Sequence, residues 1–87
     1  MEAKKIIVKV LVLQMCKDGV KNLCIFDNNI SKENMHNIIS EKIKEVSADY
    51  HTKEDFEKGV EDIMNGKYWD TGIEYDVCFI KEVEMYI

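Results

Sequence analysis

Residues 6–26 read IIVKVLVLQMCKDGVKNLCIF, and this stretch decides how the chain folds. Its first half is rich in valine, isoleucine and leucine, which favour β-strands. Asp18-Gly19 separates this half from a second apolar run at 21–26, and Asp-Gly in such a place indicates a two-residue hairpin turn. We therefore predict two antiparallel strands in which positions whose numbers sum to 37 face each other.

Both faces of the predicted hairpin are apolar. In this register Leu13 faces Cys24. The apolar side chains are, on one face, Ile7, Leu11, Leu13, Met15, Cys24 and Phe26, and on the other Ile6, Val8, Val10, Val12, Leu23 and Ile25. A small antiparallel sheet usually leaves one face in water. Either both faces are covered, or one awaits another molecule, and a homodimer joined through the sheet is one prediction.

Two amphipathic helices are predicted after the hairpin. Ser31 can cap the first, and Thr52 with Asp55 three positions later resembles a capping box for the second. Asn65-Gly66 supplies the stop of the second helix. The apolar stripes of the two helices are Met35, Ile38, Ile39, Ile43 and Val46, then Phe56, Val60, Ile63 and Met64.

The end of the chain predicts one long strand. From residue 73 apolar and polar residues alternate, with the apolar side made of Ile73, Tyr75, Val77, Phe79, Val83, Met85 and Ile87. The order is then β-β-α-α-β, one α+β domain over residues 1–87 with two helices and a three-stranded antiparallel or mixed sheet. We place the first strand in the centre. The last strand then lies parallel to the first, or antiparallel beside the second.

The sequence holds no pattern typical of catalysis or of cofactor binding. His36 and His51 are fifteen residues apart and the three cysteines form no C-x-x-C pair, so the spacing of a zinc site is absent. We interpret both histidines as surface residues. The four glycines are isolated, without a phosphate-binding or dinucleotide fingerprint. We expect a protein that is not an enzyme and that uses no metal and no cofactor.

Cysteine usage and hydropathy indicate where the chain works. Three cysteines are an odd number, which favours reduced thiols over a secreted disulfide framework. No stretch approaches the roughly 18 apolar residues that a membrane span needs, and we find no good signal-peptide cleavage site. We expect a cytoplasmic protein.

Charge is distributed unevenly along the chain. The net charge is −5, and residues 49–87 carry eleven acids against four lysines. All twelve basic residues are lysines, so the bidentate guanidinium contacts that read guanine are absent. The pattern predicts no direct binding of nucleic acid or anionic membrane, and favours a basic partner protein.

The candidate partner-binding residues lie in this acidic half of the chain. They are Glu54, Asp55, Glu57, Glu61, Asp62, Tyr68, Trp69, Asp70, Glu74 and Asp76. An acidic stripe on a rigid scaffold can occupy a groove built for a polyanion, and Tyr and Trp are frequent binding anchors. Alternatively, the acids only keep the protein in solution, and the two aromatic residues close the end of the core.

In size, charge and composition the whole chain resembles small phage and mobile-element proteins, among them anti-CRISPR proteins that occupy the nucleic-acid groove of a CRISPR effector. This resemblance carries over no site residues. It implies a non-catalytic inhibitor of a basic, nucleic-acid-binding host protein. A toxin immunity protein or antitoxin would use the same acidic surface. A homo-oligomeric structural module would use the sheet edge and the apolar face instead.

Overall fold

The apolar hairpin forms one side of a four-stranded sheet. The computed structural model describes residues 3–87. In chain order the elements are β1 (Lys5–Met15), β2 (Gly19–Phe26), α1 (Lys32–Val46), α2 (Lys53–Met64), β3 (Trp69–Asp70) and β4 (Val77–Tyr86). The strands lie in the order β2-β1-β4-β3, and every neighbouring pair is antiparallel. The α+β class and the central position of β1 are confirmed.

The sheet differs from the prediction in strand number and in one direction. The short strand β3 pairs its two residues with Val77 and Cys78 of β4. It reverses the chain once more than predicted, so the last strand returns antiparallel to β1. The predicted long strand also starts later, at Val77, because Gly72 and Glu74 take positive φ values of 81° and 50° that interrupt extended backbone.

The predicted hairpin register is wrong. The turn occupies residues 16–18, and Gly19, with a φ of 85°, already belongs to β2 opposite Met15. A three-residue loop followed by a left-handed glycine is a common hairpin, and it shifts the pairing so that Leu13 faces Lys21. A bulge beyond this point then sets Cys24 opposite Leu11.

Both helices begin where the sequence predicts, and α2 also ends there. The Ser31 Oγ accepts a hydrogen bond from the Asn34 N–H at 3.1 Å. Thr52 and Asp55 form a complete capping box at the start of α2. After α2, Gly66 has a φ of 80°, the left-handed conformation typical of a helix C-terminus.

The two helices cover one face of the sheet. Side chains alternate across a strand, so Leu11 and Leu13 of β1 and Cys78 of β4 point to the helices. The main core is formed by Leu11, Leu13, Phe26, Met35, Ile39, Ile43, Val60, Ile63, Trp69 and Cys78. Trp69 lies against Gly59 of α2, where the absence of a side chain lets the indole approach the helix.

The sheet face away from the helices is mostly apolar, and neither α1 nor α2 covers it. We call this surface the open face, formed by Ile6, Val8, Val10, Val12, Ile25, Tyr68, Val77, Phe79, Lys81, Val83 and Met85, with the polar Gln14 and Asn22 toward the β1–β2 turn. Val10 and Val12 in its middle are already buried, at 3% and 0% exposed, whereas Ile25 and Tyr68 are 62% and 64% exposed. Lys81 is the one charged side chain that β1, β2 and β4 contribute to it.

Candidate partner-binding surface

Several connecting segments meet at one end of the molecule and bring carboxylates together. The β1–β2 turn, the α1–α2 connector and the β3–β4 connector are joined there by hydrogen bonds. We call this region the acidic end, with Asp49, Glu54, Asp55, Asp70, Glu74 and Asp76. It unites five of the ten predicted partner-binding residues.

Hydrogen bonds to and from Thr71 hold the segments of the acidic end together. It is fully buried, and its carbonyl accepts hydrogen bonds from the Ala48 N–H at 3.0 Å and from Nε2 of His51 at 2.8 Å. Its own N–H and hydroxyl both donate to the Asp76 carbonyl, each at 3.1 Å. Because these bonds tie the α1–α2 connector to the β3–β4 connector, the carboxylates around Thr71 are held on a defined framework.

His51 is a structural residue that sequence analysis wrongly interpreted as a surface residue. Its side chain is only 11% exposed and contacts the rings of Tyr50, Phe56 and Trp69, with centroid distances of 4.8, 5.7 and 4.9 Å. Nε2 donates to a backbone carbonyl, and Nδ1 lies 3.6 Å from Oδ2 of Asp55. Both ring nitrogens are turned toward protein groups, and the ring orders the connector.

Three of the predicted acids also hold the backbone in place. Asp55 accepts from the Thr52 N–H at 2.8 Å, and this hydrogen bond holds the pKa of the Asp55 carboxyl below its ordinary value. Asp70 accepts from the Gly72 N–H at 2.8 Å, and Asp76 accepts from the Cys16 N–H at 3.0 Å. Replacing these acids would therefore disturb the fold as well as the charge.

The remaining acid of the β3–β4 connector forms an exposed ion pair. Oε1 of Glu74 lies 3.4 Å from Nζ of Lys17 in the β1–β2 turn. Both side chains are at least half exposed, so the pair contributes little to stability and can open for a partner.

The outer face of α2 carries carboxylates that no base in the described residues neutralises. Glu54, Glu57 and Glu61 are exposed, and within residues 3–87 no salt bridge or hydrogen bond engages their carboxylates. Seven residues of helix separate the first from the last, which corresponds to about 10 Å. Asp62 lies half-buried beside them. These are the most available acids of the predicted set.

The two predicted aromatic anchors are placed on different sides of the molecule. Trp69 is 8% exposed and belongs to the core, as the alternative interpretation held. Tyr68 stacks on Phe79 with a centroid distance of 4.5 Å and lies on the open face. The exposed aromatic residues of the acidic end are instead Tyr50 and Tyr75. In the sequence Tyr50 follows Asp49 and Tyr75 precedes Asp76, and these polar neighbours were the signal that could have indicated exposed rings.

Two surface depressions and one buried thiol are the other features of this structure with potential for chemistry. A depression of ≈ 260 Å³ includes Lys9, Lys32 and Glu82, and a second, of ≈ 490 Å³, lies beside Ile6 and the 27–29 loop. Among residues 3–87 no three His, Cys, Asp or Glu side chains are placed to hold a metal ion. Burial raises the pKa of the Cys78 thiol to about 12, so at neutral pH it is protonated and a poor nucleophile.

Comparison with protein families, with curated proteins and with solved structures found no match for this chain. Within residues 3–87, neither helix is long and apolar enough to cross a bilayer.

Proposed function

We propose that this chain is a non-catalytic binding protein that inhibits a basic, nucleic-acid-binding host protein by occupying its nucleic-acid groove. It would act as a nucleic-acid mimic, in the manner of the anti-CRISPR proteins that it resembles. The observation that carries the proposal is the outer face of α2, where Glu54, Glu57 and Glu61 are exposed and unneutralised. Lysine and arginine side chains that line such a groove can pair with these carboxylates.

The placement of the bases supports the same proposal. Residues 49–87 carry four lysines, and one of them, Lys81, lies on the open face rather than beside α2. Within residues 49–80, Lys53, Lys58 and Lys67 stand against nine acids, and Lys17 of the β1–β2 turn adds a fourth base beside Glu74. A field of one sign over a contiguous surface steers an oppositely charged partner toward it.

Rigidity is the second requirement of a mimic, and the framework around Thr71 supplies it. The capping box fixes the start of α2, and His51 ties that start to the β3–β4 connector at 2.8 Å. A surface that is ordered before binding loses less conformational entropy when a partner docks. The spacing between α2 and the acidic end is thus set by the fold and not by the partner.

Capture from nuclease-treated host lysate tests the proposal. The probe is the wild-type chain beside Glu57→Lys/Glu61→Lys, which reverses two exposed charges one turn apart on α2. The matched control is Glu41→Lys/Glu45→Lys, which makes the same charge change at the same spacing on α1. We expect a nucleic-acid-binding protein to be captured by the wild type and the control, to elute with salt, and to be lost from the α2 variant.

Two outcomes would contradict the proposal. Equal capture by the α2 variant would remove this surface from the interaction. Recovery of a small toxin in place of a nucleic-acid-binding protein would favour the immunity-protein alternative, because that alternative uses the same acids on a different partner.

A further inference from the structure

We propose that a second copy of this chain covers the open face, so that two sheets pack face to face in a symmetric dimer. The molecule extends 52 Å in length but only 18 Å in thickness, as expected for one layer of helices on one sheet. Antiparallel sheets commonly turn a polar, solvated face away from their core. Here Val10, Val12 and Phe79 occupy its middle.

Part of this face belongs to a two-stranded arm that no third strand flanks. The arm consists of residues 5–8 of β1 paired with residues 83–86 of β4. β2 ends at Phe26 opposite Lys9, and β3 reaches only Cys78, so neither strand flanks the arm. An isolated two-stranded ribbon is marginally stable in water. Within the open face, the arm therefore gains the most stability from a second layer packed on it.

The strands are longer than the helices that pack on the other face of the sheet. The eleven residues of β1 span about 36 Å, whereas the fifteen residues of α1 span about 22 Å. A helix along β1 would therefore leave about 14 Å of the strand without a helix on its other face. On the open face the arm presents Ile6, Val8, Val83 and Met85.

The open face has the area of a weak symmetric dimer. β1 and β4 pair over ten positions, about 33 Å by 10 Å, and β2 adds a third strand over seven positions, so the face measures about 430 Å². Two such faces bury about 850 Å², the size of a weak, reversible interface below the roughly 1,200 Å² of stable ones. Aligned sheets pack in this way about 10 Å apart.

Charge favours a second copy on this face and disfavours it elsewhere. Each chain carries −5, so two copies repel each other through α2 or the acidic end. On the open face Val10 pairs with Lys81 on one side and with Ile25 on the other. A two-fold axis along β1 therefore places the arm of one copy on the arm of the other. It also places each Lys81 over the edge strand β2 of the second copy, two residues from that copy's Asp27. The two lysines stay at opposite edges.

Sedimentation velocity over a concentration series from about 1 to 500 µM tests the dimer, because weak interfaces of this size dissociate in that range. The decisive pair is Met85→Lys and Ile7→Lys. Met85 and Ile7 are 43% and 41% exposed in the same arm, but Met85 lies on the open face and Ile7 on the opposite one. Ile25→Lys, at an exposed site on β2, extends the test beyond the arm.

We expect a wild-type dimer that persists at high salt. Met85→Lys and Ile25→Lys should weaken the dimer at least tenfold, while Ile7→Lys changes its dissociation constant less than twofold. Circular dichroism of each variant confirms that the fold is kept. A wild type that stays monomeric over the whole series, or a dimer weakened equally by Ile7→Lys and Met85→Lys, would overturn the proposal. Glu57→Lys/Glu61→Lys should leave the dimer intact, which separates this proposal from the proposed function.

Discussion

Replacing Gly59 by alanine should destabilise the protein, although the same change stabilises most helices. Gly59 lies in the interior of α2, where alanine is normally favoured by about 1 kcal/mol. A Cβ at this position would lie 2.7 Å from Cε2 and Nε1 of Trp69 and 2.9 Å from its Cδ2. These distances are too short for carbon–carbon contact, so the indole or the helix must move.

The surroundings of Trp69 decide the size of the effect. The indole is 8% exposed and packs beside His51 and Phe56, with centroid distances of 4.9 and 5.9 Å, so it has little room to withdraw. Overpacking of this kind costs about 1–3 kcal/mol, and the helix gain offsets about 1 kcal/mol of it. We expect a net loss of up to about 2 kcal/mol, which lowers the Tm of a domain of this size by up to about 15 °C.

Urea and thermal unfolding of four proteins measure this effect: wild type, Gly59→Ala, Trp69→Phe and the double variant. The smaller phenyl ring leaves space for the new methyl group, so Gly59→Ala should stabilise the Trp69→Phe background by up to about 1 kcal/mol. A rise in Tm for Gly59→Ala in the wild-type background would refute the reasoning, because it would mean that Trp69 does not lie against the helix.

Two further predictions concern titratable groups. The pKa of Asp55 is lowered in the folded state, so its carboxylate stabilises the fold above the unfolded-state pKa, and this stability is lost as pH falls through the folded-state pKa. In urea unfolding, Asp55→Asn should therefore have a lower free energy of unfolding than the wild type at neutral pH and an equal one in acid. The control Glu54→Gln should show no such pH-dependent difference from the wild type. The pKa of Cys78 is raised from 9.0 to about 12, so the contribution of its protonated thiol to stability is complete below pH 9 and declines above it. Between pH 8 and 10 the free energy of unfolding of the wild type should fall by about 1 kcal/mol more than that of Cys78→Ala. In native protein a thiol reagent should modify the exposed Cys16 fast and Cys78 only on unfolding, and fast labelling of Cys78 would contradict its burial.

Features that depend on neighbouring residues were predictable from sequence. The caps at Ser31 and Thr52 and the stop at Gly66 need only side chains within one helical turn, and all three are confirmed. The hairpin register was not predictable, because it depends on whether Gly19 falls inside the turn or after it. β3 was missed because two residues are too few to show a strand pattern.

The candidate site was predictable in charge but not in geometry. Composition located the acids, whereas only the fold divides them into the acidic end and the outer face of α2. The role of His51 depends on contacts with Trp69 and Thr71, which lie about twenty residues away in the sequence. The alternation of β4 likewise could not show that Phe79 and Val83 point away from the helices, since both faces of β1 are apolar.

A competition experiment tests the central claim most directly. The partner captured from lysate is bound to a fluorescent nucleic acid, and the wild-type chain is titrated against that complex while anisotropy is recorded. We predict that the wild type and Glu41→Lys/Glu45→Lys displace the nucleic acid, and that Glu57→Lys/Glu61→Lys does not. Simultaneous binding of nucleic acid and wild-type chain to the partner would contradict the claim that α2 occupies the groove.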